Sequence, residues 1–186
     1  MGKLLHKKAR RQRNQGLFML LSGLILLGIF FIWKFHQARI LSFNTQAVEV
    51  ISQKEGTRPT HLKIPRLRVD LEVREAAIID GVWQISPDSA SHLNVSSGLG
   101  VSGNTVIYGH NKTSIFGPIR WTSPGDIIEL TGEDSVIYTY KIEKTIEVEP
   151  DNLEYVLPKN EEVLTVYTCS GFLDSKRFVV VAKRIQ

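Results

Sequence analysis

From Leu17 to Trp33 the chain runs seventeen residues without a charge, directly behind a head that carries Lys3, Lys7, Lys8, Arg10, Arg11 and Arg13 and no acid. At ~1.5 Å per residue a helix over this run covers roughly 25 Å, and Gly16, Phe35 and a snorkelling Lys34 extend it toward the ~30 Å hydrocarbon thickness. A cleaved secretory signal shares the basic head, but its apolar stretch is usually shorter and ends in small residues. Here Phe30-Phe31-Ile32-Trp33-Lys34-Phe35 follows, so residues 16–35 read as an uncleaved transmembrane anchor with Trp33 at the interface. Cations beside a span stay on the cytoplasmic side, which makes 1–15 a cytoplasmic head and places the rest of the chain outside the cell, on a membrane it reaches by one pass.

The net charge of +4 hides an asymmetry, because the head alone carries +6 and the remainder −2. The basic pI therefore describes the head, whose partner is the lipid bilayer, and gives no ground for nucleic-acid binding. Residues 36–59 are mixed and polar apart from Val48 to Ile51, and read as an extracytoplasmic stalk in which no core forms.

From Thr60 to Gln186 the texture changes to short β-rich runs punctuated by Gly, Pro, Asn and Asp, the pattern of one antiparallel sandwich or barrel domain. His61 to Ile64 and Leu67 to Val73 alternate apolar and polar residues across Pro65-Arg66, so both predict strands. Val82 to Ser86 is a third short run, and Ala90 to Val95 reads as one helical turn before a glycine loop at 98, 100 and 103. That loop lacks the Lys-Ser/Thr of a phosphate cradle. Asn104 to Tyr108 predicts a strand ending at Gly109-His110, and Ile115, Phe116 and Ile119 a short helix. Asp126 to Thr131 and Ser135 to Val148 form a hairpin, followed by a loop of roughly fifteen residues, long enough to carry binding. Val163 to Thr168 and Phe178 to Ile185 close the domain, with Cys169 ending the first strand and Arg177 opening the second.

Cys169 is the only cysteine, so no internal disulfide explains it. Its own neighbourhood leaves two readings open, a small buried hydrophobe or a nucleophile. A catalytic thiol needs a base or cation beside it. Arg177 lies across one turn in sequence, and His110, 59 residues earlier, must be brought in by tertiary structure.

Thr165-Val166-Tyr167-Thr168-Cys169 resembles the Thr-Leu-x-Thr-Cys signature of sortases, with Val166 in the Leu position, and Tyr108-Gly109-His110 and Arg177 follow the family order. The likeness extends through the anchor, Ile64-Pro65, Gly103-Asn104-Thr105, Gly125-Asp126 and the strand from Arg177 to Ala182. It implies an all-β fold, an eight-stranded barrel with short helices behind one transmembrane helix. It also implies a cysteine transpeptidase acting on surface proteins that bear a Leu-Pro-x-Thr-Gly-like sorting signal. In that reading Cys169 attacks the Thr carbonyl, His110 is acid and base, and Arg177 holds the oxyanion or the signal. Thr168 positions substrate, and an amine acceptor such as a cell-wall precursor resolves the acyl-enzyme. Leu153, Val156 and Leu157, in the long loop with Tyr155, are candidate walls for the signal's Leu and Pro, although packing the loop onto the barrel calls for the same residues.

Some features depart from the family pattern. Tyr108 is bulky where a small residue is common, and Asn111 stands where Arg is frequent. Residues 36–60 hold no Asp-Pro lid motif and no second span follows, which points to a single-anchor type and away from the pilus-polymerising class. Glu143, Glu147, Glu149, Asp151 and Glu154 resemble the acidic loop that binds calcium in some sortases, but without fixed ligand spacing they read as a solvated face, and no cofactor is expected. His92 could reach the site but reads rather as a solvated or hydrogen-bonded loop histidine, and Trp83 and Trp121 as core or rim aromatics. Two other functions compete: an anchored cysteine protease that simply hydrolyses its target, and a non-catalytic β-barrel binding module with a structural cysteine.

Overall fold

Nearly every β-rich run finds two neighbours to pair with, and the pairing closes on itself. The computed structural model describes the backbone of residues 2–39, 41–43 and 56–186, and the side chains of 14–33, 41–43 and 56–186. The head cations, Lys34, Phe35 and the patch Val48 to Ile51 therefore lie outside the described side chains. The N-terminal run is α1 (Gly2–Arg39), in which Asn14–Trp33 is long and apolar enough to cross a membrane.

The remainder, from Arg39, is a second compact unit. Its strands are β1 (Pro59–Ile64), β2 (Val69–Ala76), β3 (Ile78–Ile79), β4 (Val82–Trp83), β5 (Ala90–Leu93), β6 (Gly103–Tyr108), β7 (Ile127–Gly132), β8 (Ile137–Val148), β9 (Glu162–Ser170) and β10 (Lys176–Arg184). Eight of them close a barrel in the order β1-β2-β5-β6-β9-β10-β8-β7, while β3 and β4 form a separate ribbon. Neighbours are antiparallel except β2–β5 and β6–β9, which run parallel.

The expected helical turn at Ala90 to Val95 is instead β5. All four of its residues are buried and it pairs with β2 on one side and β6 on the other, so ladder hydrogen bonds override the local pattern of Ser91 and His92. The short helix after His110 is present as a 3-10 turn over Gly117–Trp121.

β9 is buried on both faces, which is why its sequence runs apolar without alternation. Leu164 and Val166 point into the barrel with Ile107, Leu62, Leu130 and Val180. Tyr167 and Cys169 point outward into a second cluster with Val106, Tyr108, Trp83, Val156 and Val179. That cluster also takes Leu41 and Phe43, both buried. The expectation of a stalk without core across 36–59 is corrected there: two large apolar side chains gain about 1.5–3 kcal/mol each by covering the outer face of the barrel.

Candidate active site

The parallel register of β6 and β9 sets Tyr108 beside Tyr167, and the Gly109 amide donates to the Tyr167 carbonyl at 3.3 Å, carrying the ladder one residue beyond β6. On the other side of β9, the antiparallel register pairs Cys169 with Arg177. Cys169 and Arg177 thus stand side by side on adjacent strands, roughly 4.8 Å apart, and His110 lies in the turn two residues beyond the end of β6. Two-residue periodicity puts Cys169 and Arg177 on the outer face, in step with Tyr167 and Val179 of the second cluster, which also holds Tyr108. The bulk of Tyr108 is absorbed by stacking on Tyr167, with centroids 5.3 Å apart and planes at 13°.

The turn that presents His110 is fixed from several directions. Its carbonyl accepts from the Lys112 amide at 2.8 Å and the Phe116 amide at 3.1 Å, and Ile115 and Phe116 are buried in the barrel core. Gly109 lies flush against Phe116, where a Cβ would come within 2.9 Å of the ring, so the position excludes a side chain. Thr168, expected to position substrate, is fully buried, and its hydroxyl donates to the Gly109 carbonyl at 2.8 Å. The observed contact ties the cysteine strand to the histidine turn. Thr168→Val should therefore leave a buried carbonyl unpaired, costing about 1–3 kcal/mol, and lower kcat about tenfold or more through a shifted His110. Thr168→Ser should restore both; a Val variant with wild-type kcat would dissociate the hydroxyl from the histidine turn.

Cys169 is 2% exposed, and burial pushes its thiol up to about 12, opposed by the Arg177 charge and reinforced by Asp174. Burial also pushes the half-buried His110 below the ordinary imidazole value, helped by Lys112 and opposed by Asp174. Both shifts favour the uncharged forms, a neutral thiol and a neutral imidazole.

Arg177 is 2% exposed and its guanidinium is committed to backbone: Nη1 donates to the Asp174 and Lys176 carbonyls at 3.0 Å, and Nη2 to the Ser42 carbonyl at 3.0 Å. The first contact braces the 171–175 connection, where Gly171, Leu173 and Asp174 have φ of 75°, 52° and 59°. A Cβ on Gly171 would meet the Ser175 hydroxyl at 2.9 Å. Phe172 and Leu173 on this connection are 84% and 74% exposed. Arg177→Ala should thus lower kcat about 10²–10³-fold if the guanidinium serves an oxyanion. It should also lower the melting temperature, since each carbonyl left unpaired costs about 1–3 kcal/mol. Arg177→Lys should recover part of each, because it keeps charge but not the fork. Wild-type turnover in both variants would reduce Arg177 to a structural brace.

The other expected residues are placed as follows. Val156 is buried in the second cluster, Leu153 packs partly buried against it, and the Asn104 amide holds the carbonyls of Tyr155 and Leu157 at 2.9 and 3.0 Å, so the loop is docked on the barrel. His92 is buried in β5 and hydrogen-bonded, the second of its two expected environments, with Nε2 3.2 Å from the Ser97 carbonyl and 3.2 Å from the Ser96 hydroxyl. Trp83 is core and Trp121 an exposed rim residue. Glu143 and Glu149 pair with Lys183 and Lys176 at 3.5 and 3.8 Å, and among the described residues no group of three or more His, Cys, Asp or Glu could hold a metal ion. The sequence pointed to Gly109 but not to Ser42, Asp174 or the hydroxyl of Tyr167. Only Gly109 carried a sequence signal, as a glycine directly before the histidine.

A family model for the sortase domain matches residues 62–185. No curated protein matches the chain. Among solved structures, Streptococcus pneumoniae sortase C is 27% identical with a TM-score of 0.57, covering 70% of each chain. Streptococcus agalactiae sortase C1 is 23% identical with a TM-score of 0.59, covering 72% of this chain and 70% of that one. Corynebacterium diphtheriae sortase A is 18% identical with a TM-score of 0.60, covering 78% and 72%. The chain spans 63% of the sortase C1 of GBS pilus island 1 and 66% of a second S. agalactiae sortase C1 structure, just under two thirds of their lengths. The likenesses at 18 and 23% establish the shared barrel. The domain match covers more than half of the 186 residues and includes His110, Cys169 and Arg177, and on that ground the chain belongs to the sortase family.

Proposed function

We propose that the chain is a membrane-anchored cysteine transpeptidase that cleaves a Leu-Pro-x-Thr-Gly-like sorting signal and transfers the surface protein to an amine of the cell envelope. The observation that supports this reading is Cys169 paired with Arg177 across β9 and β10, with His110 two residues beyond the end of β6, the strand that runs parallel to β9. A thiol, a base and a fixed cation are the groups that acyl transfer through a thioester needs.

In this mechanism the Cys169 proton passes to the neutral His110 as sulfur attacks the Thr carbonyl of the signal. The carbonyl oxygen gains charge facing Arg177. Collapse breaks the Thr–Gly C–N bond, and the His110 proton goes to the departing amine, leaving a thioester on Cys169. The acceptor amine then attacks, His110 takes its proton, and collapse of the second intermediate expels the sulfur, which recovers that proton. Hydrolysis would follow the same path with water, so the acceptor alone separates transpeptidase from protease.

The finer assignment, outside the pilus-polymerising class, rests on the lack of an Asp-Pro motif in residues 36–60. The cytoplasmic head rests on the six cations before Leu17. Incubating the full chain in detergent micelles with sorting-signal peptides and candidate amines, and weighing the products, tests the function. Peptide–amine conjugates support it, whereas hydrolysed peptide alone at saturating amine would make the enzyme a protease.

A further inference from the structure

Among the described residues of the barrel unit, the three most exposed large apolar side chains all stand at the end that carries the site. Phe172 and Leu173 lie on the connection between Cys169 and Arg177, and Trp121, 62% exposed, closes the 3-10 turn that follows His110. The connection is braced: the Ser175 amide donates to the Phe172 carbonyl at 3.2 Å, and Arg177 Nη1 holds the carbonyls of Asp174 and Lys176. Leu173 has a left-handed backbone with φ of 52°. Glycine or asparagine takes that conformation at less cost, so the backbone gives no reason for a leucine, and its exposure leaves it little packing within the fold. Apolar residues scattered singly need no partner, but an adjacent apolar pair on a fixed turn marks an interaction surface.

The same end is basic on an acidic unit. Residues 56–186 hold 17 Asp and Glu against 14 Lys and Arg. Yet Arg66, Arg68 and Arg120 stand in or directly after two 3-10 turns, Pro65–Leu67 and Gly117–Trp121, that pack together at this rim and hold no acid. Arg66 pairs with Asp126 at 2.7 Å and donates to the Trp121 carbonyl. Arg68 and Arg120 are exposed, and among the described residues neither has an acidic partner.

We propose that this end of the barrel docks on the bilayer that α1 enters: Phe172, Leu173 and Trp121 insert at the headgroup level, and Arg66, Arg68 and Arg120 face lipid phosphates. The proposal rests on the reading of Asn14–Trp33 as a membrane anchor and is independent of the transpeptidase reading. Three arguments favour a bilayer as the occupant. Exposed aromatic and apolar side chains flanked by arginines are the composition of an interfacial surface. The cations complement anionic headgroups, whereas the opposite end of the barrel turns from β7 into β8 through Glu133 and Asp134. Ser42, whose carbonyl Arg177 holds, lies nine residues after Trp33, a reach of roughly 30 Å even fully extended. The chain itself therefore keeps the site's end near the membrane surface, and a contact too weak to hold a free protein suffices for a tethered one. Docking turns the site toward the headgroups, where molecules held in the same bilayer meet it.

The test uses the full chain in vesicles of phosphatidylcholine with and without phosphatidylglycerol. In a Cys169→Ala background, Phe172→Cys and Leu173→Cys each carry an environment-sensitive nitrobenzoxadiazole label. Ile137→Cys, an exposed apolar position at the start of β8 and so at the opposite end, is the comparison. The labels at 172 and 173 should shift to the blue and be quenched by nitroxides on the acyl chains, while the label at 137 stays water-like. With phosphatidylglycerol present, Arg68→Gln and Arg120→Gln, which leave the Arg66–Asp126 pair intact, should each lower the docked-to-free ratio about fivefold, the worth of one cation at an anionic surface. Unquenched, water-like labels at 172 and 173 in a chain that floats with the vesicles overturn this inference and leave the anchor standing. Equal quenching at 137 overturns it too, as contact without orientation, and so does a blue shift without quenching, which puts a second copy of the chain over the apolar pair. Quenching that neither arginine variant weakens removes the arginines from the docking surface. A chain that does not float with the vesicles overturns the anchor and the docking together.

Discussion

Cys169→Ala is expected to abolish release of the peptide downstream of the signal, a loss on the order of 10⁴–10⁶-fold, while the barrel stays folded. The chain has one cysteine, so no second thiol substitutes for it. The cost to the fold is small because burial already holds the thiol neutral, so the fold uses Cys169 as a small apolar residue, which alanine imitates closely. Its neighbours Tyr167 and Val179 keep their packing, and the ladder to Arg177 is main chain. Two measurements check this: the melting temperature, expected within a few degrees of wild type, and the mass of enzyme trapped with peptide, which should show a thioester adduct for wild type and none for the variant. Turnover retained by the purified variant would eliminate the thioester mechanism.

The strands that carry the site were legible because β9 and β10 are dense in β-branched residues, and because a glycine directly before His110 marks a forced turn. Three features were not legible. β5 reads as polar, and only pairing on both sides makes Ala90–Leu93 a strand. Burial of His92 follows from that pairing and not from its neighbours in sequence. Leu41 and Phe43 stand close behind the apolar helix α1, where local composition gives no sign of a core, and their burial depends on aromatic surface forty or more residues away at Trp83 and more than one hundred at Tyr167. The hydrogen bonds of Thr168 and Arg177 were not legible for a related reason. Residue type identifies a hydroxyl and a cation beside the thiol, but only the folded chain shows the hydroxyl spent on Gly109 and the guanidinium on three carbonyls.

His110→Ala is expected to slow acylation about 10²–10⁴-fold, the usual worth of a placed general acid–base, and to change the shape of the pH profile as well as its height. In the wild type the productive pair holds one proton between sulfur and imidazole. Acid adds a second proton and stops the reaction, so the lower limb lies below the ordinary histidine value, in the direction that burial moves His110. Alkali removes the shared proton only as pH nears the thiol's raised value of about 12. Release of the downstream peptide should therefore be flat from near pH 7 well past the ordinary thiol range. Without the imidazole, thiolate forms only by loss of the proton to solvent, and the rate should climb about tenfold per pH unit across that same range. A variant that stays flat would mean that another base serves the thiol. His92, the other histidine of the barrel's buried interior, is poorly suited to that part: it sits in β5, and its Nε2 is within hydrogen-bond distance of the Ser97 carbonyl and the Ser96 hydroxyl. A flat profile would therefore require a group other than His110, Cys169 and Arg177 and would overturn the assignment of His110 itself.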